Sequence, residues 1–510
     1  MTAASVTRLR ALGALAVVAL LVWAAYADPG LAILGAFATV VTFGLFLTPK
    51  VALAVIACFL VLQPVLVNVA GTSETPLGLA LHRLHEAFAV AAVLRVTFFL
   101  GWQRVNPRLG RWLWFTAIFL AAGLGSAVVA RVPLQTMALG AFLAVKFPVF
   151  LLLALTIPWS ERDCERIMRV ALWLGPLVLA SGALVWLAPP DVQRLFIDTT
   201  LEGEGTVARE GLNAMQGIFP HPGVFGWAAA VTGCYALAAL LTGRTAWRVG
   251  GTVSLGASIL AILGSLRRKP LGALPVAALY GVMRFAKGRQ RWAVLAVFAV
   301  LAGGAARLVA NRLEAQYRDA LNYVDPLAPT MPRVLLYVTG AQIANARFPL
   351  GAGFGRFGGY ASALDYSPLY DAYGLSQVYG LTPDSPLYVM DTYWPHIAAE
   401  TGWLGAAVLL TFLLLLGLDA SRVAQAAADP ATKAVAVGAA LALVEAMVES
   451  VAGPVFEVSL FAFVIAVPLG VSLARSAVTP RVAGAAPAFA HSPSPPSPPA
   501  APGPRPAAPR

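Results

Sequence analysis

Charge is what this chain has least of. Only 12% of its 510 residues are charged, against 59% hydrophobic, and the mean hydropathy is +0.75. A soluble domain cannot hide that much apolar surface, so the shortage excludes a water-soluble globular fold. Alternation of apolar and polar residues is also missing. The apolar runs are long and unbroken, which excludes a transmembrane β-barrel. Cysteine is scarce. Cys58, Cys164 and Cys234 lie far apart, two of them in apolar stretches, and support neither a disulfide framework nor a metal site. Acidic residues number 24 against 36 Lys and Arg, a net charge of +12. Most of these cations fall in short loops, so they set membrane orientation and imply no nucleic-acid partner.

What is present is an all-α polytopic membrane protein. At roughly 17–25 residues per crossing, the apolar runs predict about 12–14 transmembrane helices. The spans fall near 11–27, 30–47, 51–70, 86–101, 112–130, 137–157, 170–188, 221–242, 250–266, 270–284, 292–307, 402–418, 433–452 and 455–474. Arg8 and Arg10 place the N-terminus inside. Every second loop is then cytoplasmic and carries cations: Lys50; Arg104, Arg108 and Arg111; Arg162, Arg166 and Arg169; Arg244 and Arg248; Arg284, Lys287, Arg289 and Arg291; Arg422 and Lys433. Ala25-Tyr26-Ala27 has the small-residue pattern of a signal-peptidase site, and cleavage there would leave the remaining sidedness unchanged. Four parts follow: N-terminal helices with outer Arg-bearing loops (1–306), a large outer loop with short helices (307–398), C-terminal helices (399–475) and a Pro/Ala-rich cytoplasmic tail without a packed core (476–510).

Arg267, Arg268 and Lys269 break the orientation rule, because the span count puts them outside. Arg209 precedes the segment Gly217-Ile-Phe-Pro-His-Pro-Gly-Val-Phe-Gly226 in another outer loop, and Arg333 lies in the long one. Guanidinium groups grip phosphate oxygens with a two-pronged fork and keep their charge when partly dry, so several together suit a pyrophosphate. Lipid-headgroup anchoring is the alternative for each of them singly.

The long outer loop holds ten of the 13 tyrosines, among them Tyr337 and Tyr393. Their flat faces and hydroxyls suit sugars, and an interfacial aromatic belt is the other explanation. The stretch 332–344 is expected to form an amphipathic helix lying on the membrane. Gly353-Phe-Gly-Arg-Phe-Gly358 matches the G-x-G-x-x-G pattern, but no strand–helix unit surrounds it. Gly353 and Gly355 are instead read as a turn that lets backbone approach a helix or a ligand. Asp391-Thr-Tyr-Trp-Pro-His396-Ile-Ala-Ala-Glu400 leads into a span, and His396 is the general-base candidate. An interfacial or capping histidine is the plainer alternative, and Glu400 could cap or pair with an arginine. Glu202 and Glu204 form the one close outer carboxylate pair, better explained as a solvated turn than as a metal site. No cofactor and no metal is expected. Within the membrane, Glu445 and Glu449 share a helix face, and a Lys146–Glu445 pair is one structural possibility.

These segments together resemble the O-antigen ligase and O-antigen polymerase family of bacterial inner-membrane glycosyltransferases. The likeness runs from about Arg209 to Gly405: Phe219-Pro-His-Pro-Gly-Val-Phe-Gly226, Leu263-Gly-Ser-Leu-Arg-Arg268, Phe348-Pro-Leu-Gly-Ala-Gly-Phe-Gly355, and His396 through Gly405. The resemblance implies transfer of an undecaprenyl-diphosphate-linked glycan to an acceptor sugar at the periplasmic face, without metal or nucleotide. It implies that Arg209, Arg268 and Arg267 hold the pyrophosphate and that His396 orients or deprotonates the acceptor hydroxyl. Arg333, Tyr337, Gly353, Gly355, Asp391 and Tyr393 would contact substrate. Expected partners are that donor, a glycan acceptor, membrane lipids and other polysaccharide-assembly proteins. Ligases commonly have asparagine after the histidine, where Ile397 stands here, and the Asp-Thr-Tyr-Trp approach looks more like polymerases. A polymerase is therefore favoured over a ligase acting on lipid A core or a protein O-oligosaccharyltransferase. A polysaccharide or lipid-linked glycan transporter is the competing class, although no internal repeat of the transporter kind is visible.

Overall fold

The computed structural model of the chain describes residues 29–70, 75–102, 107–189, 208–209, 212–286 and 332–478, with a few isolated positions besides. The expected spans 11–27 and 292–307, the Glu202–Glu204 pair and nearly all of the Pro-rich tail lie outside the described residues. Among the described residues ten helices are long and apolar enough to cross a membrane. The chain is an all-α polytopic membrane protein; among the described residues one hairpin joins two-residue strands, β1 (Ala208–Arg209) and β2 (Leu212–Asn213).

The first six helices are α1 (Pro29–Leu47), α2 (Pro49–Val69), α3 (Pro76–Trp102), α4 (Pro107–Val129), α5 (Leu134–Leu155) and α6 (Glu161–Leu187). After the hairpin come α7 (Pro222–Leu241), α8 (Thr245–Gly264) and α9 (Arg268–Phe285). In a bilayer each span must satisfy its own backbone, and a helix does so along its length. Its ends need capping partners. Ser160 and Asp163 make a reciprocal capping box at the start of α6. His221 Nδ1 accepts from Gly223 N–H at the start of α7, at 2.9 Å.

The 332–398 segment contributes α10 (Pro332–Ala346) and two short helices, α11 (Tyr360–Leu364) and α12 (Pro368–Ala372). It has its own small core of Leu336, Ile343, Phe357, Tyr370, Leu375 and Leu381. Then follow α13 (Trp394–Ala426), α14 (Pro430–Glu449) and α15 (Ser459–Val478). The expected helix at 332–344 is present, but it does more than lie on a membrane. Leu336, Thr339, Gly340, Ile343 and Ala344 are buried on one side of it, and α10 packs against α13.

α14 is the centre of the bundle, packing on α7, α9, α13 and α15. Its face is built of small residues such as Ala434, Gly438, Ala439 and Ala442, which let helices approach closely. A Cβ at Gly438 would come within 2.4 Å of the Tyr235 ring.

α13 is broken. Its helix begins at Trp394, eight residues before the expected span, and is interrupted at Gly402, where φ is 71°. Only glycine takes that conformation without strain. A Cβ there would also lie 2.3 Å from Pro349 O. The carbonyls freed at the break do not face lipid. Ala399 O accepts from Ala352 N–H at 2.7 Å and Glu400 O from Gly353 N–H at 2.9 Å. The glycine segment 351–359 thus threads between helices. A Cβ at Gly353 would come within 2.3 Å of Ala127 on α4, and one at Gly355 within 2.4 Å of Thr136 O on α5. Approach to a helix, one of the two uses foreseen for this turn, is seen at both glycines.

Candidate active site

Residues 449–459, joining α14 to α15, organise one end of the bundle. A short 3-10 turn, Ser450–Ala452, leaves backbone carbonyls without helical partners, and side chains from distant segments converge on them. Lys269 Nζ donates to Ala452 O and sits 5.6 Å from the centroid of the Trp227 ring. Tyr337 Oη donates to Val451 O at 2.6 Å, and Trp394 Nε1 donates to Ser450 Oγ at 3.0 Å. Trp227 Nε1 donates to Glu449 Oε2 at 2.5 Å.

Basic side chains gather beside this turn. Ser265 Oγ accepts from Arg267 N–H at 3.2 Å, and Leu266 between them has φ 52°, a conformation uncommon outside glycine. That tight turn holds Arg267 with its Nη2 2.8 Å from His221 Nε2. Gly226 lets the Phe219–Gly226 segment press on the same turn: a Cβ there would lie 3.0 Å from Ser265 Oγ. Arg333 Nη2 donates to Asp391 Oδ2 at 2.6 Å. Burial, together with the charges of Arg333 and Arg267, holds the Lys269 ammonium below the usual lysine range, although Asp391 and Glu449 pull the other way.

At the far end of the same connection, Glu457 meets His396. His396 Nε2 is 2.8 Å from Glu457 Oε1, and its Nδ1 is 2.5 Å from Phe357 O and 3.6 Å from Glu400 Oε1. Glu400 Oε1 accepts from Phe357 N–H at 2.9 Å, while its Oε2 has no partner among the described residues. His396, Glu400 and Glu457 are all buried. Tyr393, also buried, stacks between Trp394 and Phe456. One eleven-residue connection thus carries the cationic group at its start and the histidine–carboxylate group at its end.

The structure therefore brings Arg267, Arg333, Tyr337, Asp391, Tyr393 and His396 to one end of the bundle around this connection. Arg268, exposed, starts α9 beside Arg267. Arg209 pairs through its backbone with Leu212, and its side chain lies outside the described residues. Gly353 and Gly355 are buried against α4 and α5. Lys146 does not pair with Glu445. It donates to Glu457 O at 3.4 Å, because α5 packs against α15. Among the described residues Glu400 pairs with no arginine; it receives Phe357 N–H beside His396.

The residues missed in the sequence are Glu449, Ser450 and Glu457 as members of one group, because 455–474 reads as uninterrupted span. The signal was there: three glutamates, at 445, 449 and 457, crowd the junction of two apolar runs. Comparison with family models gave no match for this chain, and comparison with curated proteins gave none either.

Proposed function

We propose that this chain is a membrane glycosyltransferase of the bacterial inner membrane. In this reading it transfers an undecaprenyl-diphosphate-linked oligosaccharide to an acceptor sugar at the periplasmic face, as a polymerase of O-antigen or exopolysaccharide type. The observation that supports it most is the single connection, residues 449–459, with a cationic cluster at one end and the His396–Glu457 pair at the other. A departing diphosphate gains charge, and prearranged cations stabilise it. Arg267, Arg268 and Lys269 are suited to that task, with Arg333 and Tyr337 beside them. The acceptor hydroxyl oxygen attacks the anomeric carbon, the bond from that carbon to the diphosphate oxygen breaks, and the hydroxyl proton passes to the His396–Glu457 pair. Because Glu457 already occupies Nε2, the pair and not the imidazole alone takes the proton. The exposed Tyr360, Tyr373 and Tyr379 offer flat faces to a glycan.

A ligase or a protein O-oligosaccharyltransferase would use the same chemistry with another acceptor. The break at Gly402 and the buried Glu445 and Glu449 favour a transporter as second reading. Against it, backbone from 352 and 353 already fills the break. The test is the glycan profile of a strain lacking the protein. A polymerase predicts accumulation of single lipid-linked repeat units and loss of long chains. Long chains persisting on the lipid carrier would indicate a ligase. Rescue by Arg268→Ala and His396→Ala variants, with failure of Glu445→Gln, would overturn the enzyme reading in favour of transport.

A further inference from the structure

We propose that His396 and Glu457 share one exchangeable proton and that Lys146, buried in the middle of α5, decides which of the two carries it. The proposal deepens the enzyme reading above, but its structural part stands apart from it.

Phe357 O can only accept, so Nδ1 of His396, 2.5 Å away, keeps its proton. Nε2 faces Glu457 Oε1 at 2.8 Å, and that contact has two balanced forms. In one, Nε2–H donates to a carboxylate. In the other, a neutral Glu457 donates to the Nε2 lone pair. One proton moves along one hydrogen bond, and nothing else is required.

Charge around the bond selects the form. Lys146 Nζ lies 3.4 Å from Glu457 O and 5.3 Å from the Phe142 ring centroid. Lys146 is 3% exposed, and no carboxylate lies within ion-pairing distance of it among the described residues. Its ammonium interacts with Glu457 and with Glu86 of α3, whose neighbour His85 it also faces. His396 is faced by Glu400 on its own helix, by Glu457 from the connection and by the Tyr393 ring. A buried cation beside Glu457 favours the carboxylate and so leaves the proton on His396. Remove that cation, and two buried charges lose their counterweight; the neutral pair becomes the cheaper arrangement. Lys146 is therefore a positioning residue. It sets whether the pair offers an incoming hydroxyl a carboxylate base at Glu457 or only neutral groups.

The chain has five histidines, so the imidazole nitrogens can be followed by NMR on 15N-histidine-labelled full-length protein in lipid nanodiscs. His396→Gln identifies the His396 signals. Nε2 is expected to be protonated at neutral pH in the unaltered protein and in Lys146→Arg, and unprotonated in Lys146→Met. A bare Nε2 in the unaltered protein, or a protonated one in Lys146→Met, overturns the proposal. Should Lys146→Met not fold, Lys146→Gln, which can still donate to Glu457 O without the charge, supplies the decision: an unprotonated Nε2 supports the proposal and a protonated one overturns it. In chain extension from lipid-linked repeats, Lys146→Met should lower kcat about tenfold or more with KM unchanged, and Lys146→Arg should restore it. If the unaltered protein extends no chains, the glycosyltransferase reading fails while the nitrogen signals still decide the proton's position.

Discussion

The two ends of the helix bundle handle charge differently. At the end away from the 332–398 segment, cations meet acids. Lys50 Nζ pairs with Asp163 Oδ2 at 2.6 Å, Arg244 with Glu165 at 2.8 Å, Arg111 with Asp419, and Arg475 with Asp429 at 3.2 Å. Two of these acids also take part in helix caps: Asp163 in the capping box with Ser160, and Asp429, which accepts from Thr432 N–H at 2.6 Å. At the other end, Arg333 pairs with Asp391 at 2.6 Å and His396 with Glu457 at 2.8 Å, but Lys269 turns to a carbonyl and an indole. Carboxylate oxygens of Glu400, Glu445 and Glu449 are buried there without hydrogen-bond partners among the described residues. A set of charges that only supports the fold has reason to pair fully, since unsatisfied buried polar atoms are costly. The contrast fits the proposed function, in which one end stabilises the fold and the other holds a ligand that is not protein.

The sharpest way to break this contrast is at the cations. Replacing Arg267 and Arg268 together with alanine should reduce polymer formation about 100-fold or more while the melting temperature changes little. A large drop in melting temperature with activity per folded molecule intact would make that end structural too. Gly402→Ala should come next. It forces a Cβ against Pro349 O at positive φ and should cost more than about 2 kcal/mol, read as a lowered melting temperature in detergent.

Asp429→Ala tests the stabilising end and should cost about 1 kcal/mol through loss of the cap. Burial opposes the Asp429 charge, but the Thr432 N–H and hydroxyl and Arg475 outweigh it and hold the carboxyl below its usual value. A carboxyl depressed in the folded state stabilises above its unfolded value, near about 4, and loses that contribution as pH falls through the folded value. The variant should therefore show a flatter loss of stability on acidification than the unaltered protein. Glu165→Gln should change stability by less than about 1 kcal/mol, as half-exposed ion pairs do. A Glu165→Gln effect larger than that of Asp429→Ala would mean that caps are not what matters at that end.

How legible was this in the sequence? The described helices overlap their expected spans, because a lipid-facing helix needs an unbroken apolar run of sufficient length, but α3, α6 and α13 start eight to ten residues early, and the expected 30–47 and 270–284 are not among the ten helices long and apolar enough to cross. The glycines at 353 and 355 announced a close backbone approach, and His396 stood out as a lone titratable group before a span. The partner of that histidine could not be read. Glu457 is 61 positions away, and its neighbour Lys146 is separated from it by 311. Helical periodicity links residues three or four apart and says nothing about which helices pack together. The Lys146–Glu445 pair, one possibility in the sequence, is not formed for this reason: Lys146 meets Glu457 O because α5 packs against α15.

By itself, then, the sequence determined the class of the protein, an all-α chain threaded many times through a membrane, because hydrophobicity acts locally and leaves its mark as run length. It also determined where the unusual groups lie along the chain: the basic triplet at 267–269, the buried glutamates and the glycine-rich segment. Tertiary structure alone decided that residues 351–353 would close the break in α13, that the basic turn would meet the α14–α15 connection, and that His396 would share its bond with Glu457. Those contacts depend on packing between helices far apart in sequence, which small residues on α7 and α14 permit but no local pattern specifies.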